Sequence, residues 1–276
     1  MVEQKKLSLS TVELSYLEWH QGQEPLLLLH GLADHSWVWS SLGDYLAPHY
    51  HIIAPDLRGH GDSSKPEKGY QFSDYIADLN ALMDYLGWSS ANILGHSWSA
   101  KLATIWATQH PEKFKQLILV DPAFINKMPS IFKLTFPFLY KVLPFLKIMG
   151  PFNSYQEAEN LARTLKQYRG WTSLQQEVFR LGMEEKNQGK WGSKLTIQAR
   201  DQIFDEVLKY DGFTQPIDIP TLLIKPVKGL NRIQWQLKPY RKYLTHLQIV
   251  EVPGNHWAFL VEPNSFNQTV ANFLKG

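Results

Sequence analysis

Residues 93–100 read I-L-G-H-S-W-S-A. The apolar run that climbs to Gly95 has the look of a buried strand, and the A-K-L-A-T-I-W-A-T-Q-H that follows has the look of a helix. A serine therefore stands at a strand-to-helix junction, with small residues, Gly95 and Ser99, two positions away on each side. Active sites of open parallel sheets lie beyond the carboxyl ends of the strands. A sharp turn there projects its side chain out of the sheet and tolerates only small neighbours. The spacing thus marks Ser97 as a candidate nucleophile. The helix starting at about Trp98 leaves unpaired N–H groups that favour negative charge, so the Trp98 amide is a candidate oxyanion donor.

Working outward, the chain alternates strands and helices on both sides of this junction. Residues 7–19 read as a two-stranded hairpin, 25–30 (P-L-L-L-L-H) as a strand buried on both faces, 36–47 as helix and 50–54 as a strand. A helix is expected over 73–87, then strand 91–94, helix 98–109 and strand 115–120. The alternation predicts an α/β fold: a mostly parallel sheet of about eight strands, with helices on both faces. The rhythm breaks after Asp121. Residues 124–213 carry no clear buried strand, and it resumes with strand 219–224, a possible helix 231–243, strand 247–252 and helix 263–274. The simplest organisation is a core from 1–122 and 214–276, interrupted by a helical cap at 123–213.

A serine hydroxyl needs a base. His256, in V-P-G-N-H-W just after the last strand, is the leading one. His30-Gly31 directly follows the L-L-L-L strand, where glycine lets the backbone approach a substrate, and the Leu32 amide is the natural second oxyanion donor. Each feature alone has an ordinary reading as a turn or surface residue. Their meeting at one sheet edge, in the order Ser then His, is what points to catalysis.

With these residues in view, the sequence resembles the α/β-hydrolase family over nearly its whole length. The resemblance rests on H-G at 30–31, D-L-R-G-H-G-D-S at 56–63, G-H-S-W-S at 95–99, L-I-L-V-D-P at 117–122, I-P-T-L-L-I at 219–224 and P-G-N-H-W at 253–257. It implies a cap over the active site and a Ser–acid–His triad, with Ser97 as nucleophile, His256 as base, and Leu32 and Trp98 as oxyanion donors. Asp56, Arg58 and Ser63 are read as fold-forming residues. The family usually carries its acid just after the strand that here reads I-P-T-L-L-I, often as Gly-x-x-Asp. This chain continues K-P-V-K-G-L-N-R-I-Q, with no Asp or Glu. Asp121, ending the strand beside that of the nucleophile, is the substitute acid, and the order Ser97, Asp121, His256 suits it. The alternatives are a Ser–His dyad or a site without catalysis. Similar G-H-x-W turns occur in haloalkane dehalogenases and epoxide hydrolases, but their nucleophile is Asp, so Ser97 argues against both activities. Trp98 either lines the pocket or packs under the cap. Asp34 and His35 follow the oxyanion loop, from which they could reach a substrate, but are expected to face solvent.

The rest of the chain bounds the function. It has 276 residues, 44% hydrophobic and 20% charged, with a formal net charge of +2 and no cysteine. Intermixed charges argue against a nucleic-acid partner. The absence of cysteine removes disulfides, thiolate metal sites and a cysteine nucleophile. No apolar run suits a membrane span and no signal peptide is seen, so a cytoplasmic protein without stable membrane insertion is expected. The pattern does not fix an oligomeric state. Residues 128–152 are aromatic and apolar, with Lys133, Lys141 and Lys147 interspersed. They are expected to roof an apolar pocket, the sharper alternative being an interfacial lid. The reading is a serine hydrolase of small to medium hydrophobic esters, thioesters or related acyl compounds, needing no metal or organic cofactor. Carbon–carbon cleavage or cofactor-free lyase chemistry at the same site is the alternative, and a non-catalytic ligand receptor the alternative of another class.

Overall fold

A computed structural model describes residues 1–129 and 143–276. Ten strands are described. Eight form one sheet: β1 (Glu3–Ser8), β2 (Glu13–His20), β3 (Glu24–Leu29), β4 (Tyr50–Pro55), β5 (Ala91–His96), β6 (Phe114–Val120), β9 (Thr221–Lys228) and β10 (Leu247–Asn255). Their spatial order is β1-β2-β4-β3-β5-β6-β9-β10. β1 and β2 form the antiparallel hairpin, β2 runs antiparallel to β4, and the remaining neighbours are parallel.

The leucine run of β3 shows why such a strand reads as continuously apolar. Side chains alternate between sheet faces, and both faces are covered. Leu27 and Leu29 join Ile93, Leu117 and Leu223 beneath α2 (Phe72–Tyr85) and α3 (Trp98–Gln109). Leu26 and Leu28 join Leu94, Ile118 and Ile224 on the other face, beneath α1 (Ser40–Leu46) and α9 (Pro263–Leu274).

Between β6 and β9 the chain leaves the sheet. It forms α4 (Tyr155–Ala162), α5 (Ser173–Gly182) and α6 (Ile197–Lys209), and two three-residue strands, β7 (Met183–Glu185) and β8 (Trp191–Ser193), paired antiparallel. This small, partly exposed hairpin is consistent with the reading of no clear buried strand over 124–213, though the pairing itself was not foreseen. Three residues per strand are too few to impose a period on the sequence. The expected helix at 231–243 is split into a 3₁₀ turn, Gln234–Leu237, and α7 (Lys238–Tyr243). A short α8 (Ala258–Val261) precedes α9. The greater part of the aromatic run at 128–152, with Lys133 and Lys141, lies outside the described residues. No helix among the described residues is long and apolar enough to cross a membrane.

The segments that leave and rejoin the core run side by side. Gly212 N donates to Ile125 O at 2.6 Å, Met128 N to Leu208 O at 3.0 Å and Lys127 N to Asp211 Oδ1 at 2.9 Å. From below, Lys101 on α3 ties both: its Nζ donates to Phe124 O at 2.7 Å and to Val207 O at 2.6 Å. Lys101 is fully buried, and burial pushes its ammonium down to about 7, with Asp211 opposing.

Candidate active site

The sheet places three chain segments at the carboxyl ends of β5, β6 and β10. Ser97 follows β5 with φ 60° and ψ −118° and immediately precedes α3. Its amide donates to Val120 O at 3.0 Å, and its carbonyl accepts from Ala123 N at 3.1 Å. The turn is therefore bound to the end of β6 on both sides. Gly95 has no room for a side chain, since a Cβ there would lie 2.7 Å from Ser99 O. The Ser99 hydroxyl accepts from His96 N at 3.0 Å and lies 3.0 Å from Leu29 O and 2.9 Å from His96 O. Serine at this position thus adds bonds that glycine could not make. Ala33 and Asp121 also have positive φ, 64° and 40°. Strain of this kind, of order 1–3 kcal/mol per residue, persists where surrounding bonds over-determine the backbone.

His256 Nε2 lies 3.0 Å from Ser97 Oγ, and His256 Nδ1 lies 2.6 Å from Asp121 Oδ2. An ionised carboxylate only accepts, so Nδ1 carries the proton and the Nε2 lone pair is left to accept from the Ser97 hydroxyl. Asp121 is wholly buried, Ser97 is 8% exposed, and the His256 side chain is 14% exposed. Burial acts to raise the Asp121 carboxyl pKa. The bond to His256, the charge of His256 and donors from Asn231 and Leu230 outweigh it and hold the carboxyl below its ordinary value.

Those donors come from the loop that lacks an acid. Leu230 N lies 2.8 Å from Asp121 Oδ2, and Asn231 N and Nδ2 lie 3.1 and 3.0 Å from Oδ1. A Cβ on Gly229 would lie 2.6 Å from Asp121 Oδ2. The loop after β9 has given up its side chain at 229 and turned its amides onto a carboxylate that arrives from β6. Gly229 and Asn231 escaped the sequence reading. The one available signal was the K-G-L-N that stands where an acid was expected.

His96 also went unread. Its Nε2 donates to His256 O at 2.9 Å, and burial and the neighbouring His256 charge lower its pKa, which keeps it neutral. Asn255 fixes the same loop: Oδ1 accepts from Trp257 N at 2.9 Å, and Nδ2 donates to Lys166 O at 2.8 Å.

Two expectations are corrected. His35 is buried, its Nε2 donating to Val178 O of α5 at 3.0 Å. The Asp34 side chain is 9% exposed and accepts from the Trp257 indole at 3.2 Å. Both are covered by segments distant in sequence, the insertion and the histidine loop. Trp98 packs: it is 3% exposed, edge-on to Tyr75 at 4.9 Å and stacked on His60 at 6.1 Å. The amides of Leu32 and Trp98 have no acceptor in the bonds described.

The loop after β4 is held by its own set of buried bonds. Asp56 accepts from Ser36 N at 2.7 Å and Asp62 N at 2.9 Å. Arg58 clamps Asp78 with two bonds, at 2.6 and 2.5 Å, and Ser63 Oγ donates to Asp56 O at 2.6 Å. Leu57 N donates to His30 Nε2 at 3.0 Å while His30 Nδ1 donates to Gly31 O at 2.8 Å, which fixes a neutral imidazole.

Against known proteins, the family model of the alpha/beta hydrolase fold matches residues 24–263. The chain belongs to the α/β-hydrolase fold family. As an α/β hydrolase it is 32% identical over 118 residues to the 2-(acetamidomethylene)succinate hydrolase of Mesorhizobium japonicum, covering 42% of each chain. It is 27% identical over 151 residues to epoxide hydrolase 4 of Mus musculus, covering 51% of this chain and 42% of that one. The matches thus span less than half the length of these curated relatives. Among solved structures, an E-2-(acetamidomethylene)succinate hydrolase superposes over 100% of both chains with a TM-score of 0.81 and 20% identity. A thioesterase domain from the curacin biosynthetic pathway gives 0.76 and 22%, over 98% of this chain and 99% of that domain. At such identities the likeness is one of fold.

Proposed function

We propose that this α/β hydrolase cleaves a small to medium hydrophobic ester, thioester or related acyl compound through an acyl-enzyme on Ser97. The reading is carried by one observation: a continuous chain of hydrogen bonds from the Ser97 hydroxyl through His256 to a buried carboxylate, at 3.0 and 2.6 Å. Ser97 Oγ attacks the acyl carbon as its proton passes to His256 Nε2, and the carbonyl electron pair moves onto oxygen. The Leu32 and Trp98 amides stabilise that oxyanion. Collapse breaks the bond to the leaving group, which takes the proton from His256. Water then repeats the sequence on the acyl-enzyme, releasing the acid and restoring the serine. Asp121 stays ionised throughout, holding the tautomer and offsetting the imidazolium charge.

Several relatives carry epoxide hydrolase and haloalkane dehalogenase names. That chemistry calls for a carboxylate nucleophile, and position 97 is serine. The receptor alternative drew on the missing acid after β9; the bond between Asp121 and His256 weighs against it. The aromatic ring of Phe145 from the insertion lies 5.6 Å from Trp257, beside the base, which favours an apolar acyl group. The test is a fluorophosphonate label with mapping of the modified residue, paired with turnover of a short-chain chromogenic ester. Labelling at Ser97, with label and turnover both lost in Ser97→Ala, is expected. Turnover that survives in Ser97→Ala, or a label on another residue, overturns the reading.

A further inference from the structure

At the sheet edge opposite Ser97, three side chains converge that the proposed reaction does not use. Glu18 and His20 stand two apart on β2 and so share a face. His51 at the start of β4 is the register partner of His20. β4 runs toward the active site, so His51 lies at its far end. Strand geometry alone thus brings two imidazoles and a carboxylate together. His51 Nε2 lies 2.7 Å from Glu18 Oε1 and 3.0 Å from His20 Nδ1, and His20 Nδ1 lies 3.4 Å from the same Glu18 Oε1.

Hydrogen bonding alone serves this triangle poorly. His51 Nε2 has either one proton or one lone pair. Once it donates to Glu18, it cannot also accept from His20, and the His20 contact becomes at best a shared one. A single cation takes a lone pair from all three atoms. Zinc–nitrogen and zinc–oxygen bonds are about 2.0–2.2 Å, and a point about 2 Å from each of the three atoms lies about 1 Å out of their plane. The imidazole planes stand at 79° with centroids 4.2 Å apart. Lys5 Nζ holds the other carboxylate oxygen, Oε2, at 2.5 Å, which orients Oε1 toward the histidines. His51 is further fixed edge-on to Trp88 at 5.0 Å.

We propose that Glu18, His20 and His51 form a binding site for one borderline divalent cation of the zinc and copper class, with water completing its coordination. Two imidazoles and one carboxylate suit that class better than magnesium or calcium. Bound there, the ion pins β2 to β4 and adds stability, not chemistry at Ser97.

Untagged, metal-stripped protein titrated with Cu²⁺ and followed by electron paramagnetic resonance tests it. The expected result is saturation at one equivalent with two nitrogen donors. His20→Gln, at an exposed position, is expected to weaken binding at least about tenfold, the scale on which even partners of ligands matter, and to remove one nitrogen. Zn²⁺ is expected to raise the melting temperature of wild type and not of His20→Gln. His110→Gln is the control, its ring lying 3.4 Å from surface Glu112. Equal losses in both variants, or unchanged affinity and donor count in His20→Gln, overturn the proposal.

Discussion

The carboxylate of Asp121 sits where three parts of the chain meet, and its surroundings explain how it is held against His256 with no acid on the loop after β9. Two backbone amides and one side-chain amide from the β9 loop hold it in place against His256. Asp121→Asn puts an N–H among these donors and removes the acceptor that fixes the His256 tautomer. Turnover is expected to fall by about 10³- to 10⁴-fold with the fold retained, checked by ester kinetics beside a melting curve. Near-wild-type turnover would remove Asp121 from the mechanism. Gly229→Ala places a methyl 2.6 Å from Oδ2, and the carboxylate must shift. A fall in kcat of about 10- to 100-fold with little change in KM is expected. The meeting of Ser97, Asp121 and His256 was legible because each directly follows a strand with a recognisable signature. Gly229, Asn231 and His96 were not, because their roles depend on which loop folds over which carboxylate or carbonyl. His35 was misread for the same reason: its cover is α5, 143 positions away along the chain.

Among the elements, α3 is both the helix behind Ser97 and the anchor of the insertion. The apolar period of α2 and the β5–α3 junction were readable from sequence. The anchor was not, since a lone lysine on a helix ordinarily faces solvent. Lys101 is instead buried and bonded to two carbonyls, one of them in the last turn of α6, where positive charge is favoured. Its pKa is pushed from 10.5 to about 7. Between those values the unfolded chain holds one proton more than the folded one, so this group makes stability rise with pH across that window. Below about 7 the full cost of burying the ammonium is present. Lys101→Met is expected to flatten the rise in unfolding free energy between about pH 7 and 10, measured by denaturant titration at several pH values. An unchanged slope would show that the ammonium stays charged in the fold.

For the whole molecule, the α/β class and the mostly parallel sheet of about eight strands followed from alternating apolar runs, whereas the strand order emerged only from the fold. The β7–β8 hairpin did not follow from them either, being too short. A further property belongs to the protein as a whole. Burial lowers the pKa of His30, His35, His60 and His96, so the fold holds all four neutral. Unfolding lets each take up a proton below its ordinary value near 6.5. Their contribution to stability is therefore intact above pH 6.5 and lost as pH falls below it. Acid unfolding is expected to begin in that mildly acidic range. His60, whose Nε2 has no partner among the described residues, offers the cleanest test. His60→Phe is expected to reduce the slope of unfolding free energy against pH by up to about 1.4 kcal/mol per pH unit below 6.5.

The paired bonds between Ile125 and Gly212, and between Met128 and Leu208, bring the two ends of the insertion within a single residue's reach of each other. The described part of the insertion, α4 to α6, is also tied to the core elsewhere, by Gln175 Nε2 to Leu260 O, Lys194 Nζ to Asp62 Oδ1 and His35 Nε2 to Val178 O. A segment exchanged as a cassette would therefore have to re-form those ties as well as the two joints, while β5, β6 and β10 keep their register.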